Sequence, residues 1–413
     1  MVRVKTITIE QLRGILSDLP DNPRIVASGN FAMPKTVLGI IDEVVPEYRL
    51  NMLNAQPGVP EREGVVHETI FVGPGVRHSE RLEYTPCRLS LAPILFRHEQ
   101  RPDVVVVHTS APRYDTVSLG IEVNVLPAAI EVAREHGVLV IAQANERMPY
   151  TYGDAQIYDH EIDYLVEIDD PLATHVAEQF SDVARSIGDR IAHLVDDGST
   201  LQLGIGAIPD AVLGQLTQHR GLRIWTEMFS DGVLALDAGG CLDPDVPLTA
   251  SFLFGSSDLY DFVHLNRRVR MLRTENTNDP GRIARQRQMT SVNSALQVDL
   301  FDQANASRIR GTIYSGFGGS VDFIEGALHS RGGAAYIALP SWHDKANVST
   351  IVPRITEPVT SFQHSAVVTE RGVAPAFGHS QPEQVRAIID CAAHPDARAE
   401  LHEAAREMCL LPG

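Results

Sequence analysis

The sequence has almost no lysine. Lys5, Lys35 and Lys345 are the only three in 413 residues, and arginine carries the rest of the positive charge. The formal net charge is −18. A chain this acidic lacks the basic face that a phosphate backbone requires, which excludes nucleic acid as a general partner. Room remains for a small anion held by a local arginine cluster. No apolar run is long enough to span a bilayer, so no membrane partner is expected. Met1-Val-Arg-Val-Lys-Thr leads into a polar, helix-like stretch and not into a cleavable apolar segment.

Cys87, Cys241, Cys391 and Cys409 are scattered, with no CxxC pair; they read as reduced thiols of a cytoplasmic protein. The histidines form no HxH or HExxH pair, so no metal is expected. Ser230 and Ser315 lie in no GxSxG elbow, and no Walker lysine follows a glycine turn.

At 44% hydrophobic and 21% charged, the composition is that of an ordinary globular protein, and the length suggests two or three domains. Ile9 to Leu16 reads as a helix capped near Thr8. Arg24-Ile-Val-Ala-Ser-Gly29 reads as a strand and turn leading into a helix over Ala32 to Val45. The same unit recurs at Leu201-Gln-Leu-Gly204, with a helix over Asp210 to Gln218. Gly29, Ala32, Pro34, Val37, Leu38 and Gly39 fall on Gly204, Ala207, Pro209, Val212, Leu213 and Gly214 at a constant offset of 175. We read this as an internal duplication.

Between the two units, Asp103 to Thr109 reads as a buried strand, Leu126 to His136 as a helix and Val138 to Ala142 as a strand. That spacing implies parallel pairing. A long helix is expected from Asp170 to Val195, and a domain boundary follows it. Strands are expected at Val292 to Leu300, Gly311 to Gly319, Ala334 to Leu339 and Ser365 to Thr369. Helices are expected at Pro382–Ala392 and Pro395–Met408. The fold class is α/β, with two similar open, mainly parallel domains at 1–197 and 198–413.

Three features are candidates for chemistry. Arg223-Ile-Trp-Thr-Glu-Met-Phe-Ser-Asp-Gly232 is a strand that ends by presenting one carboxylate, Glu227, where open α/β sheets keep their sites. Gly204-Ile205-Gly206-Ala207-Ile208-Pro209 is a strand-to-helix turn with bare amides. It suits an anion or oxyanion, and equally a tight turn that needs glycine. Gly316-Phe317-Gly318-Gly319 lets a ligand approach the backbone closely, or forms a bulge. The arginines at 267, 268, 270, 273, 282, 285 and 287 form a salt-bridged surface or hold phosphates.

Several segments together resemble the family of acetyl-CoA hydrolases and single-chain CoA-transferases. They include Asn145-Glu-Arg-Met-Pro-Tyr-Thr-Tyr-Gly153, Leu203 to Pro209, Thr226-Glu-Met-Phe-Ser-Asp-Gly-Val233 and Asn278-Asp-Pro280. Asn293 to Leu300, Ser315 to Phe323 and Val367-Val-Thr-Glu-Arg-Gly-Val373 continue the series. The resemblance implies two similar α/β halves and Glu227 as nucleophile. It places coenzyme-facing loops at Gly204, Ile205, Gly206, Ala207 and Ile208, and at Gly316, Phe317, Gly318 and Gly319.

It implies coenzyme A and acyl-CoA as substrates, with a small carboxylic acid as acceptor and no permanently bound cofactor. A homodimer is expected. The alternatives are hydrolysis by the same glutamate, a catalytically silent CoA-binding protein, or a non-thioester enzyme such as a sugar-phosphate isomerase. The chain departs from the family pattern at Pro112-Arg-Tyr-Asp-Thr-Val, Asp302, Arg371 and Ser28-Gly-Asn-Phe-Ala, away from the nucleophile.

Overall fold

The computed structural model describes residues 4–175, 180–204 and 206–412. The chain forms two compact units that exchange segments along the sequence. Unit 1 comprises Met1–His175, Pro247–Thr277 and Ile313–Gly318. Unit 2 comprises Val176–Val246, Asn278–Thr312 and Gly319–Gly413. The boundary expected between 197 and 198 falls within unit 2.

Unit 1 is built on an eight-stranded sheet. Its strands are β1 (Lys5–Thr6), β2 (Arg24–Ala27), β3 (Tyr48–Met52), β4 (Val65–Thr69), β5 (Leu82–Tyr84), β6 (Val104–Ser110), β7 (Leu139–Asn145) and β8 (Tyr164–Ile168). They lie in the order β1-β8-β7-β6-β2-β3-β4-β5, every pair parallel. The four consecutive valines of β6 explain its central place. β-Branched side chains fit a pleated strand covered on both faces, and every residue of β6 is buried.

Its flanking helices form where the sequence signals them. Helix α1 (Ile9–Leu16) carries a full capping box between Thr8 and Gln11. Helix α2 (Lys35–Val44) follows Pro34. Helix α3 (Leu126–His136) has proline in its first turn and Gly137 at its end. Neighbouring β2, β3 and β4 are tied by Glu68, which is 3% exposed and held by Arg24 at 2.7 Å and by Arg49. A buried carboxylate is tolerable only when paired in this way.

Unit 2 is built on a six-stranded sheet. Its strands are β9 (Thr200–Leu203), β10 (Arg223–Ile224), β11 (Met289–Ser294), β12 (Ala334–Ala338), β13 (Ala366–Val368) and β14 (Val373–Pro375), in the order β10-β9-β11-β12-β13-β14. Only β13 and β14 are antiparallel. The helices that matter for the site are α4 (Asp182–Ala192), α5 (Ala207–Gln215) and α6 (Ser320–His329).

Three expectations need correction. The helix expected from Asp170 is α4, which starts only at Asp182 with Ser181 as its cap; residues 171–175 are not helical. The strand expected over Val292 to Leu300 breaks into β11 and a separate Gln297–Asp299 strand. Of Gly311 to Gly319, only Thr312–Ile313 pairs as a strand. The helix start is set by the Ser181 cap, and the strands are cut to the residues that find pairing partners.

Candidate active site

In unit 2 the order of strands reverses between β9 and β11, because the chain leaves β9 toward β10 and returns on the other side. Ligand crevices of open α/β sheets lie at the carboxyl ends of strands beside such a reversal. Glu227 stands three residues beyond β10, at that edge. Thr226 anchors its segment: its hydroxyl donates to the Leu203 carbonyl at 3.2 Å and to the Met228 carbonyl at 2.8 Å. Ser230 donates to Asp210 in the first turn of α5 at 2.8 Å. Gly232 closes the turn because a Cβ there would overlap the Leu213 side chain of that helix.

The Glu227 side chain is half-buried, and its Oε2 accepts a hydrogen bond from Asn278 Nδ2 at 3.0 Å. Asn278 is 0% exposed, so its amide is held by its surroundings. Directly after it, Asp279 caps the short helix Pro280–Ile283 by accepting from the Arg282 N–H at 2.9 Å. Helix α6 packs so closely on that short helix that Gly326 has no room for a Cβ against Ile283. This packing brings the start of α6 to Asn278. Gly319, the residue before α6, then lies against the carboxylate: a Cβ on it would overlap both Glu227 Oε2 and Asn278 Nδ2.

Burial pushes the Glu227 carboxyl up to about 7. The Asn278 hydrogen bond opposes that shift by favouring the anion, and the charge of Asp322, 1% exposed on α6, adds to it. The result is a carboxylate poorly solvated by water, with an amide donor on one oxygen and a bare backbone beside it. When ionised, such a group has the chemistry of a nucleophile.

The remaining sequence candidates divide between the two units. Gly204 closes β9. Gly206, at φ 117°, takes a conformation that only glycine adopts freely; it precedes α5, with Ala207 exposed beside it and Ile208 buried. Helix starts of this kind present backbone amides that suit an anion. Ile205 lies outside the described residues. Gly316, Phe317 and Gly318 belong to unit 1. There Gly316 pairs with Phe71, the Ser315 carbonyl accepts from Val72 N at 2.8 Å, and Gly318 accepts from Leu89 N at 3.0 Å. Gly319 alone of that run belongs with Glu227 in unit 2.

Sequence reasoning did not single out Asn278 or Asp322. Asn278 stood inside a quoted motif, and the one local signal was its place just before a capped, proline-started turn. Of the arginine run, Arg273 is engaged by Glu131 at 2.9 Å and by Glu275 at 2.6 Å, the salt-bridged alternative. Among the described residues, no cluster of His, Cys, Asp and Glu could hold a metal ion, and no helix is long and apolar enough to cross a membrane.

The profile of the acetyl-CoA hydrolase/transferase C-terminal domain matches residues 255–405. The 4-hydroxybutyrate coenzyme A transferase of Clostridium kluyveri is 36% identical over 96% of this chain and 96% of its own length. RipA from Yersinia pestis superposes with a TM-score of 0.90 at 28% identity, over 98% of each chain. The 4-hydroxybutyrate CoA-transferase of Porphyromonas gingivalis does so with a TM-score of 0.82 at 30% identity, again over 98% of each. This chain therefore belongs to the acetyl-CoA hydrolase and CoA-transferase family.

Proposed function

We propose that this enzyme moves coenzyme A between an acyl-CoA and a small carboxylic acid, with Glu227 as the covalent carrier. One observation carries the reading: a half-buried carboxylate held by Asn278 against a glycine that has no room for a side chain.

In the proposed route a Glu227 oxygen attacks the thioester carbonyl. The C–S bond breaks and CoA leaves as the thiolate, giving a mixed anhydride. The thiolate then attacks the Glu227 carbonyl carbon, the anhydride C–O bond breaks, and the donor's carboxylate departs. Glu227 is left as a CoA thioester. An acceptor carboxylate reverses the sequence and leaves as the new acyl-CoA, which restores the Glu227 carboxylate. Water in the acceptor's place makes the same site a hydrolase.

Asn278 Nδ2 orients the nucleophile, and backbone amides of the Gly206–Ile208 turn and of Gly319, in the same unit, serve as donors to the oxyanion and the coenzyme. Binding of the coenzyme's remote portion supplies energy that the reacting end spends. Four free cysteines suit a reducing compartment, so we place the enzyme in the cytoplasm, as a homodimer.

The direct test is intact-protein mass after brief incubation with acetyl-CoA and no acceptor. The expected result is a CoA-sized adduct that disappears on addition of acetate and never forms in Glu227→Ala. Steady release of free CoA without an adduct would instead favour hydrolysis.

The pH dependence gives a second test. Glu227 must be ionised to attack, so kcat/KM should rise with pH through about 7. Asn278→Ala removes a bond that favours the anion and should move this limb to higher pH. Asp322→Asn removes a repelling charge and should move it lower. A limb that stays in place in both variants would assign the titration to another group.

A further inference from the structure

A second buried carboxylate sits in unit 1, and the reaction proposed above makes no use of it. The sheet of unit 1 reverses its strand order between β2 and β6, so the carboxyl end of β2 borders that unit's own crevice position. The turn that follows β2 is tightly built. A Cβ on Gly29 would overlap the Leu53 carbonyl, which also accepts from Asn30 N at 3.1 Å. Asn30 holds a left-handed φ of 44°. Phe31 stacks on Phe254 at 3.9 Å between ring centroids, both partly exposed.

Glu122, 2% exposed, holds this turn. Its Oε1 accepts from Asn30 Nδ2 at 3.0 Å and from Asn124 Nδ2 at 3.3 Å, and its carboxyl also takes the Gly29 backbone N–H. Asn30 is fixed in turn by Asn54 Nδ2, which donates to its Oδ1 at 2.7 Å. Glu122 Oε2 has no donor. Neither has Asn124 Oδ1, and the Ser251 hydroxyl, on a residue whose carbonyl accepts from Val123 and Asn124, has no partner.

An anion is therefore poorly solvated here: the side-chain donors reach only one of its two oxygens. An ionised carboxylate only accepts, whereas a protonated one adds an O–H.

We propose that Glu122 stands in the folded protein as the neutral carboxylic acid, and that in this form it fixes the Gly29–Phe31 turn.

The charged groups around it do not favour the anion. Arg273, whose backbone pairs with that of Asn124, is occupied by Glu131 and Glu275, and Asp154 accepts its N–H. His108 on β6 contacts the Ala32 carbonyl and is itself lowered to about 4 by burial. Burial pushes Glu122 up to about 7. The folded state therefore keeps a proton that the unfolded chain releases near the ordinary carboxyl value of 4.5. The stability this confers is complete below that value and is lost as pH rises through about 7.

The test uses the full-length Glu227→Gln protein, which removes the other carboxyl shifted into this range and leaves the readout independent of catalysis. Its Tm, followed from about pH 5 to about pH 8.5, should fall with rising pH, and Glu122→Gln added to it should flatten the profile and raise the alkaline end. Infrared difference spectra between the same pH limits should show a protonated-carboxyl C=O stretch at the acid end that Glu122→Gln removes. An unchanged Tm slope in the double variant would overturn the proposal. So would the absence of any protonated-carboxyl C=O band at the acid end in the Glu227→Gln protein, a reading that does not depend on the second variant folding.

Discussion

Glu227→Gln should lose at least roughly 10⁴-fold in turnover of any acyl-CoA that the parent accepts, while its Tm at neutral pH stays level or rises. The substitution keeps the length and shape of the side chain, and its amide oxygen can still accept from Asn278 Nδ2. What it removes is the attacking oxygen anion. It also removes the cost of ionising a carboxyl that burial and Asp322 push up to about 7. Activity and stability should therefore move in opposite directions, as expected for a residue held in an unfavourable state for function. Steady-state kinetics and a melting curve on the same preparation check both. Turnover near the parent level would remove Glu227 from the mechanism.

Gly319→Ala should cost on the order of 10²–10³-fold in kcat, with only a small change in Tm. The added methyl group would overlap the ends of two side chains, Glu227 Oε2 and Asn278 Nδ2, and no backbone. Asn278 is fully buried and held, so the half-buried Glu227 end must give way; the fold survives, and the 3.0 Å bond between the two does not. The expected signature is a fall in kcat larger than any rise in KM, because the coenzyme's remote contacts are untouched. A large drop in Tm with kcat retained in the folded fraction would show instead that Gly319 serves α6 alone.

Much of the fold was legible in the sequence because its signals are local. The valine run of β6, the Thr8 cap of α1, and the prolines and glycines that open and close α3 each declare an element within a few residues. Glu227 was legible for the same reason, as a lone carboxylate between an apolar strand and a glycine-closed turn.

Asn278 was not, since its partner lies 51 positions away and nothing in Asn278-Asp-Pro280 points to it. The division of the Gly316–Gly319 run was equally hidden. Four neighbouring residues read as one loop, yet Gly316 and Gly318 pack on Ile70, Phe71 and Leu89 of unit 1, and Gly319 lies against Glu227. The exchange of segments 247–277 and 313–318 into unit 1 could not be read from a composition that does not change at those points.

By itself, then, the sequence determined the α/β class, the parallel strands, the glycine turns, the nucleophile candidate and the family resemblance, all of which rest on patterns within one stretch of chain. The tertiary structure decided which groups share a site and in which direction burial shifts each carboxyl. Glu227 and Glu122 are the same residue type as the many glutamates at the surface. They differ only in burial and in neighbours brought from distant segments, and those two quantities set a pKa.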